Sequence, residues 1–169
     1  MQFSKLALFA FVSAVLGQQN VLSVQDYADF QISDGVAGNA LAEVAAKFPV
    51  EEFRANLAGV SADDLAILKA ARQTAENAET DAGGFNEAIE AAGGKNTEEG
   101  ARLQVGKIKN KVLKLELFSL LLEIEQAQGQ DRTEDIADKQ KKLANNIKID
   151  EDAAGDASQS VDFQGDSAP

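Results

Sequence analysis

Apolar side chains recur along most of this chain at three- and four-residue steps, the spacing of one face of an α-helix rather than of a strand. Val36, Ala37, Ala40, Leu41, Val44 and Phe48 set the first such stripe and predict a helix over 34–47, closed by Pro49. A short helix over 50–57 presents Phe53 and Leu57 together, and Gly59 interrupts the chain. Ser61-Ala-Asp-Asp64 is a capping-box variant, with Asp64 in place of Glu or Gln, and opens a helix running to Asp81. The stripe of that helix is Leu65, Leu68, Ala71, Ala75, Ala78 and Ala82, and its alanine-rich end permits close approach of a partner helix. Gly83-Gly84 stops it. Phe85, Ala88, Ile89 and Ala92 form a short third stripe that ends at Gly93-Gly94.

The longest helix is predicted next, capped by Asn96 or Thr97, with Glu98 and Glu99 in the first turn, where the helix dipole favours acids. Val105, Ile108, Val112, Leu115 and Leu122 lie along one side and Leu113, Leu117, Leu120, Leu121 and Ile124 along another. Between 112 and 124 only Lys114, Glu116, Ser119 and Glu123 are polar, and a helix apolar on most sides belongs in the middle of a bundle. Leu113, Leu117, Leu120, Leu121 and Ile124 are therefore the expected core. Gly129 ends this helix, and a last one begins near Thr133, lined by Ile136, Gln140, Leu143 and Ile147 with Ala137 and Ala144 alongside. Ala154, Ala157 and Val161 extend the same stripe, and residues 164–169 read as a frayed tail. The fold class is all-α, an antiparallel bundle of about four to six helices around a largely apolar long helix.

Before the first stripe stands a secretory leader. Lys5 supplies a positive n-region, Leu6 to Leu16 an apolar h-region, and Val15 and Gly17 the positions a signal peptidase reads. Cleavage is expected near Gly17–Gln18, which divides the chain into a signal peptide at 1–17, one helical domain at 18–163 and the tail at 164–169. The leader is too short to span a bilayer, no second apolar run of spanning length follows, and no apolar C-terminal tail suits a lipid anchor. The expected location is therefore extracellular or in a cell wall. Secreted domains of this size commonly rely on disulfides, but the chain has no cysteine, so a hydrophobic core must hold it alone.

The absence of cysteine and histidine also removes the usual nucleophilic and general-base residues, so no residue is read as catalytic, cofactor-binding or metal-ligating. Formal charge is −12, and loss of Lys5 with the leader leaves 15 basic against 28 acidic side chains, or −13. That surface repels nucleic acid and anionic headgroups and leaves neutral or cationic partners, a cell-wall polysaccharide or wall protein among them. Beyond the leader Tyr27 is the only tyrosine and tryptophan is absent, which disfavours a sugar-stacking lectin site.

Three constellations offer chemistry. Asp150, Glu151, Asp152 and Asp156 supply oxygen ligands for calcium, but they lack EF-hand spacing and its glycine, and a solvated charge run at a helix end is the preferred reading. A carboxylate pair for glycoside hydrolysis is not marked out among 28 acids. Lys107, Lys109, Lys111 and Lys114 form a basic island, in which Lys107, Lys111 and Lys114 share one helix face. That face suits an anionic ligand such as a fatty-acid carboxylate, and it equally suits bridges to neighbouring acidic helices, the reading preferred here. Asn-x-Ser/Thr acceptors are absent, and Ser158, Ser160 and Ser167 are the candidates for O-linked sugar.

Four segments carry a family likeness: FQISDGVAGNALAEV from Phe30 to Val44, SADDLAILKAAR from Ser61 to Arg72, GKIKNKVLKLEL from Gly106 to Leu117 and ASQSVDF from Ala157 to Phe163. Together they resemble the small secreted proteins of filamentous ascomycete fungi, some of them associated with the conidial or hyphal wall. The resemblance spans nearly the whole chain after the leader and implies a non-enzymatic cell-surface or wall protein with a structural or interaction role. It carries no catalytic motif and transfers no functional residue. Fungal hydrophobic-surface-binding proteins and wall galactomannoproteins are similar in architecture alone, and some enclose an acyl chain. Two further readings follow: a secreted binder of an apolar ligand such as a fatty acid in the bundle core, and a secreted effector acting on a host protein.

Overall fold

The computed structural model describes residues 20–169, so the expected leader Met1–Gly17 lies outside the described residues. The rest is mostly helical. Helices α1 (Tyr27–Phe30), α2 (Ala40–Lys47), α3 (Val50–Ala55), α4 (Ala62–Thr80), α5 (Phe85–Ala91), α6 (Glu98–Ala127) and α7 (Thr133–Asp152) follow in chain order, with a 3-10 turn at Leu57–Gly59. Two short strands, β1 (Gly35–Val36) and β2 (Ala157–Ser158), pair antiparallel with Gly35 opposite Ser158. Among the described residues no helix is long and apolar enough to cross a membrane.

Helix α6, at 30 residues about 45 Å long, is the axis on which α2, α4, α5, α7 and β2 pack. Thr97 caps it, its hydroxyl oxygen accepting from Gly100 N at 3.0 Å. Leu113, Leu117, Leu120, Leu121 and Ile124 are all buried, as are Val112 and Leu115 on the other side. Gly129, at φ 103°, turns the chain so that α7 runs back antiparallel along α6. Helix α4 presents Leu68, Ala71, Ala75 and Ala78 to this axis, each fully buried, and the small side chains bring α6 close enough for Asn110 Nδ2 to donate to Ala75 O at 2.8 Å. Asn110 Oδ1 accepts in turn from Tyr27 Oη at 2.9 Å, which fixes α1 to the same point. Phe118 joins three helices, with the Arg72 guanidinium of α4 at 4.3 Å and the Lys139 ammonium of α7 at 5.1 Å from its ring centre.

Several expectations need correction. The helix predicted over 34–47 starts only at Ala40, because Gly35 and Val36 are extended and paired with β2. Ala154, Ala157 and Val161 do not prolong α7, because the helix ends at Asp152 and the chain returns as β2. On α7 the buried positions are Leu143, Asn146 and Asp150, while Ala137, Gln140 and Ala144 face solvent. On α6 Glu116 and Ser119 are buried, so its polar strip is narrower than expected.

The expected fray at 164–169 is a bonded segment. Tyr27 N donates to Gly165 O at 2.7 Å, Ser167 N to Gln25 O at 2.9 Å, Gln25 N to Ser167 Oγ at 2.8 Å and Thr74 Oγ1 to Asp166 O at 2.6 Å. Backbone pairing with the N-terminal stretch holds it, a cause that hydrophobic periodicity does not register.

Candidate functional site

The lysine face lies at the seam of α4 and α6. Lys107, Lys111 and Lys114 project from α6 toward Glu79, one turn beyond Glu76 on α4. Their ammonium groups stand 3.9, 3.5 and 2.6 Å from the Glu79 carboxylate, and Lys114 also reaches Glu76 at 3.3 Å. Lys107 donates a further bond to Asn86 Oδ1 at 2.6 Å, and Arg72 pairs with Glu76 at 3.2 Å. Burial opposes ionisation of Glu79, but the Lys114 hydrogen bond and the three ammonium charges outweigh it and hold the carboxyl below its ordinary range. Four cations thus meet two internal carboxylates across this seam.

Lys109 points elsewhere. Two residues from Lys107 on a helix is a 200° rotation by geometry, about 100° per residue, and it carries Lys109 to the opposite side of α6. There it is fully buried, its Nζ donating to Asp34 O at 2.7 Å and Val36 O at 3.1 Å and pairing with Glu43 at 2.9 Å. It ties α6 to β1 and α2. Other buried charges act in the same way. Asp64 accepts from Leu22 N at 2.8 Å, Val21 N at 3.0 Å and Ser61 Oγ at 2.8 Å, so this shortened capping box also fastens the N-terminal stretch. Glu116 and Glu123 converge on Arg54 of α3, at 2.9 and 3.0 Å. Burial pushes the Glu116 carboxyl up, against the pull of Arg54.

The acidic run at the end of α7 divides. Glu151, Asp152 and Asp156 are exposed, and Asp152 pairs with Lys148 at 2.7 Å. Among the described residues no group of acids is arranged to hold a metal ion. Asp150 is different. It is 3% exposed, and its Oδ2 accepts from Ala40 N at 2.9 Å, placing a carboxylate on the first turn of α2, where the helix dipole favours it. Its Oδ1 is buried without a hydrogen-bond partner.

Asp150 forms part of the wall of two surface hollows. One, of about 280 Å³, lies between α6 and α7 and is lined by Ala37, Gln104, Val105, Ile108, Ile149, Asp150 and Ala153. The other, of about 240 Å³, runs beside the start of α2, between Leu41 and Ile147. Two of the large exposed apolar side chains line these hollows: Leu41 at 41% and Ile149 at 40% exposed. Val105 and Ile108, expected along the same side of α6 as Val112 and Leu115, are half-buried and line the hollow between α6 and α7. A further hollow of about 410 Å³, between α5 and the segment 159–162, is lined by alanines of α5, by Leu103 and Val161, and by the exposed residues Glu99 and Asp162. The core residues Leu113, Leu117, Leu120, Leu121 and Ile124 line none of these three. Of the serines considered for O-linked sugar, Ser158 and Ser167 are buried and bonded, and Ser160 is half-buried.

Sequence pattern does not reveal the hollow at Asp150, because its parts are distant along the chain and Asp150 sits in a run of acids. The available signal was periodicity, since Leu143, Asn146 and Asp150 fall at three- and four-residue steps, which marks Asp150 as inward-facing. Among curated proteins and among solved structures nothing matches this chain. Residues 22–162, which include both strands, the lysine seam and the Asp150 hollow, match one family, and the chain therefore belongs to the family described as Domain of unknown function (DUF8454).

Proposed function

We propose that this chain is a non-enzymatic secreted protein of a fungal cell surface or wall, with a structural or interaction role. The leader pattern at Met1–Gly17 and the resemblance of four segments to small secreted ascomycete proteins support the reading. The observation that carries it is the employment of the buried charges. Asp64, Glu79, Lys109 and Glu116 each join one chain segment to another, through the bonds described above. Charged groups engaged in this way stabilise a shape and are not poised for turnover.

Fractionation of a producing culture into medium, washed walls and spores tests the reading. The protein is expected in the medium and in the wall or spore fraction, processed near Gly17–Gln18, with no hydrolase activity on wall glucan or chitin. Retention of an intact Met1 inside the cell contradicts it. A second reading, an effector acting on a host protein, draws support from the exposed Leu41 and Ile149 at the two Asp150 hollows, because exposed apolar surface on a monomer favours protein contacts. The reading with a fatty acid in the core calls for space along Leu113–Ile124, where Leu113, Leu117, Leu120 and Ile124 are fully buried in mutual packing.

A further inference from the structure

We propose that the hollow between α6 and α7 binds a small apolar amine, a primary ammonium carried on a short hydrocarbon body, with Asp150 as its anionic partner. The wall supplies the apolar half of the recognition through Val105, Ile108, Ile149 and Ala153, around a volume of about 280 Å³. Pockets at the lower end of the usual range, about 300 Å³, take small ligands of this kind. Asp150 supplies the polar half. One oxygen is committed to Ala40 N at 2.9 Å, while Oδ1 is buried without a partner. A buried acceptor left unsatisfied is destabilising, and such groups in folded proteins call for a specific cause. Asp150 is part of the hollow's lining, so its unpaired Oδ1 is the acceptor that an N–H entering there would engage.

Nearby protein cations do not serve that oxygen. Lys148 is paired with Asp152 at 2.7 Å, and Lys109 is held by Glu43 and by the carbonyls of Asp34 and Val36. Glu151 is the chain neighbour of Asp150, and the whole chain carries −12, so the local and overall fields attract a cation. A fatty-acid carboxylate brought to the same hollow meets a like charge instead. This site is independent of where the protein acts, so it stands or falls apart from the wall reading.

The test uses the purified chain with n-hexylammonium as probe, and n-hexanol and hexanoate as matched controls. Hexylammonium is expected to raise the melting temperature by about 3–5 °C at tenfold over its Kd. It should also shift the backbone amides of Ile108, Ile149 and Ala153 saturably in NMR spectra, with hexanol weaker by about tenfold or more and hexanoate inert. Asp150→Asn keeps an acceptor for Ala40 N and should lose the preference for amine over alcohol. Ala153→Leu fills the hollow without touching the carboxylate and should abolish binding of the amine. If Asp150→Asn does not fold, Ala153→Leu decides alone. Equal effects of amine and alcohol on the unmodified chain, no effect of either, or amine binding that survives Ala153→Leu overturns the proposal.

Discussion

Lys109 Nζ and the Glu43 carboxylate lie 2.9 Å apart, with the lysine fully buried on the central helix and the glutamate side chain 35% exposed on α2. The pair is asymmetric. Water still reaches Glu43, whereas the lysine depends on Glu43 and on two backbone carbonyls for all three of its protons. Buried lysines are rare because an unpaired ammonium in a dry site is so unfavourable.

Replacing Lys109 by Met keeps the stem and removes the charge. Asp34 O and Val36 O then lose their donor, which costs about 1–3 kcal/mol each where burial persists. Urea unfolding of Lys109→Met is expected to show a loss of about 2–4 kcal/mol, with faster amide exchange at Val36 and Ala157. Glu43→Gln, which leaves the two carbonyl bonds intact, should lose less. Equal losses in the two variants would show that the ion pair, not the carbonyl clasp, holds β1 to α6.

Two carboxylates predict opposite responses to acid. Glu79 is held below its ordinary value, so its contribution is present above the unfolded pKa of about 4.3 and is lost as pH falls through the lower folded value. Glu116 is raised, so its contribution is present below about 4.3 and is lost as pH rises through the higher folded value. Glu79→Gln should therefore destabilise by about 1–3 kcal/mol at pH 7 and by progressively less toward pH 3. For Glu116→Gln the gap to the unmodified chain should widen on acidification instead. Urea midpoints between pH 7 and pH 3 for the three proteins measure both trends; parallel curves would contradict the assignment.

How much was legible depends on whether an element is held by a local pattern or by distant pairing. Helix α4 was visible from Ser61 and the Leu68–Ala71–Ala75–Ala78 stripe, and the centre of α6 from Leu113 to Ile124, because each is an apolar face of one continuous segment. Gly35 and Val36 were drawn into a helix because Val36 fits the three–four spacing of Ala40 and Val44; their strand partner lies beyond α7 and leaves no trace nearby. The Asp150 hollow was hidden for the same reason. Its floor comes from α7 and its walls from the loop before α2 and from α6, and the acids beside Asp150 mask its inward orientation. That Lys109 stands apart from the face of Lys107, Lys111 and Lys114 is legible from helical spacing; its burial against Asp34, Val36 and Glu43 is not, because those partners lie about seventy residues away.

Gly106 distinguishes helix propensity from packing. It lies within α6 and is buried, and an added Cβ would collide with Gln159 O and stand 3.0 Å from Ser33 O. Alanine is intrinsically better than glycine in a helix by about 1 kcal/mol. Because the colliding atoms are backbone, in a segment held by Gln159 N donating to Arg102 O at 3.1 Å, Gly106→Ala should nevertheless destabilise by about 1–3 kcal/mol. It should also raise amide exchange at Gln159. A stabilised variant would show that the segment moves aside freely.

The tail makes the sharpest contrast with the sequence reading. Apart from Ala168 and Pro169, residues 164–169 contain no apolar side chain, yet Ser167 is 2% exposed and the stretch closes onto Gln25, Tyr27 and Thr74. Tyr27 is itself buried against Phe30 and Phe163, with ring centres 5.5 and 5.8 Å away in edge-on contact. Removing 164–169 therefore strips the backbone partner from Tyr27 N and both partners from Gln25, and it opens a path for water toward the Tyr27–Asn110–Ala75 chain of hydrogen bonds. At about 1 kcal/mol for each net hydrogen bond, the truncated chain should lose about 2–4 kcal/mol. For a domain of this size that lowers the melting temperature by about 5–15 °C. Ser167→Ala should reproduce only a part of the loss, because the backbone bond from its N to Gln25 O survives. Thermal melts of the two variants measure this, and an unchanged melting temperature after truncation would restore the tail to a frayed end.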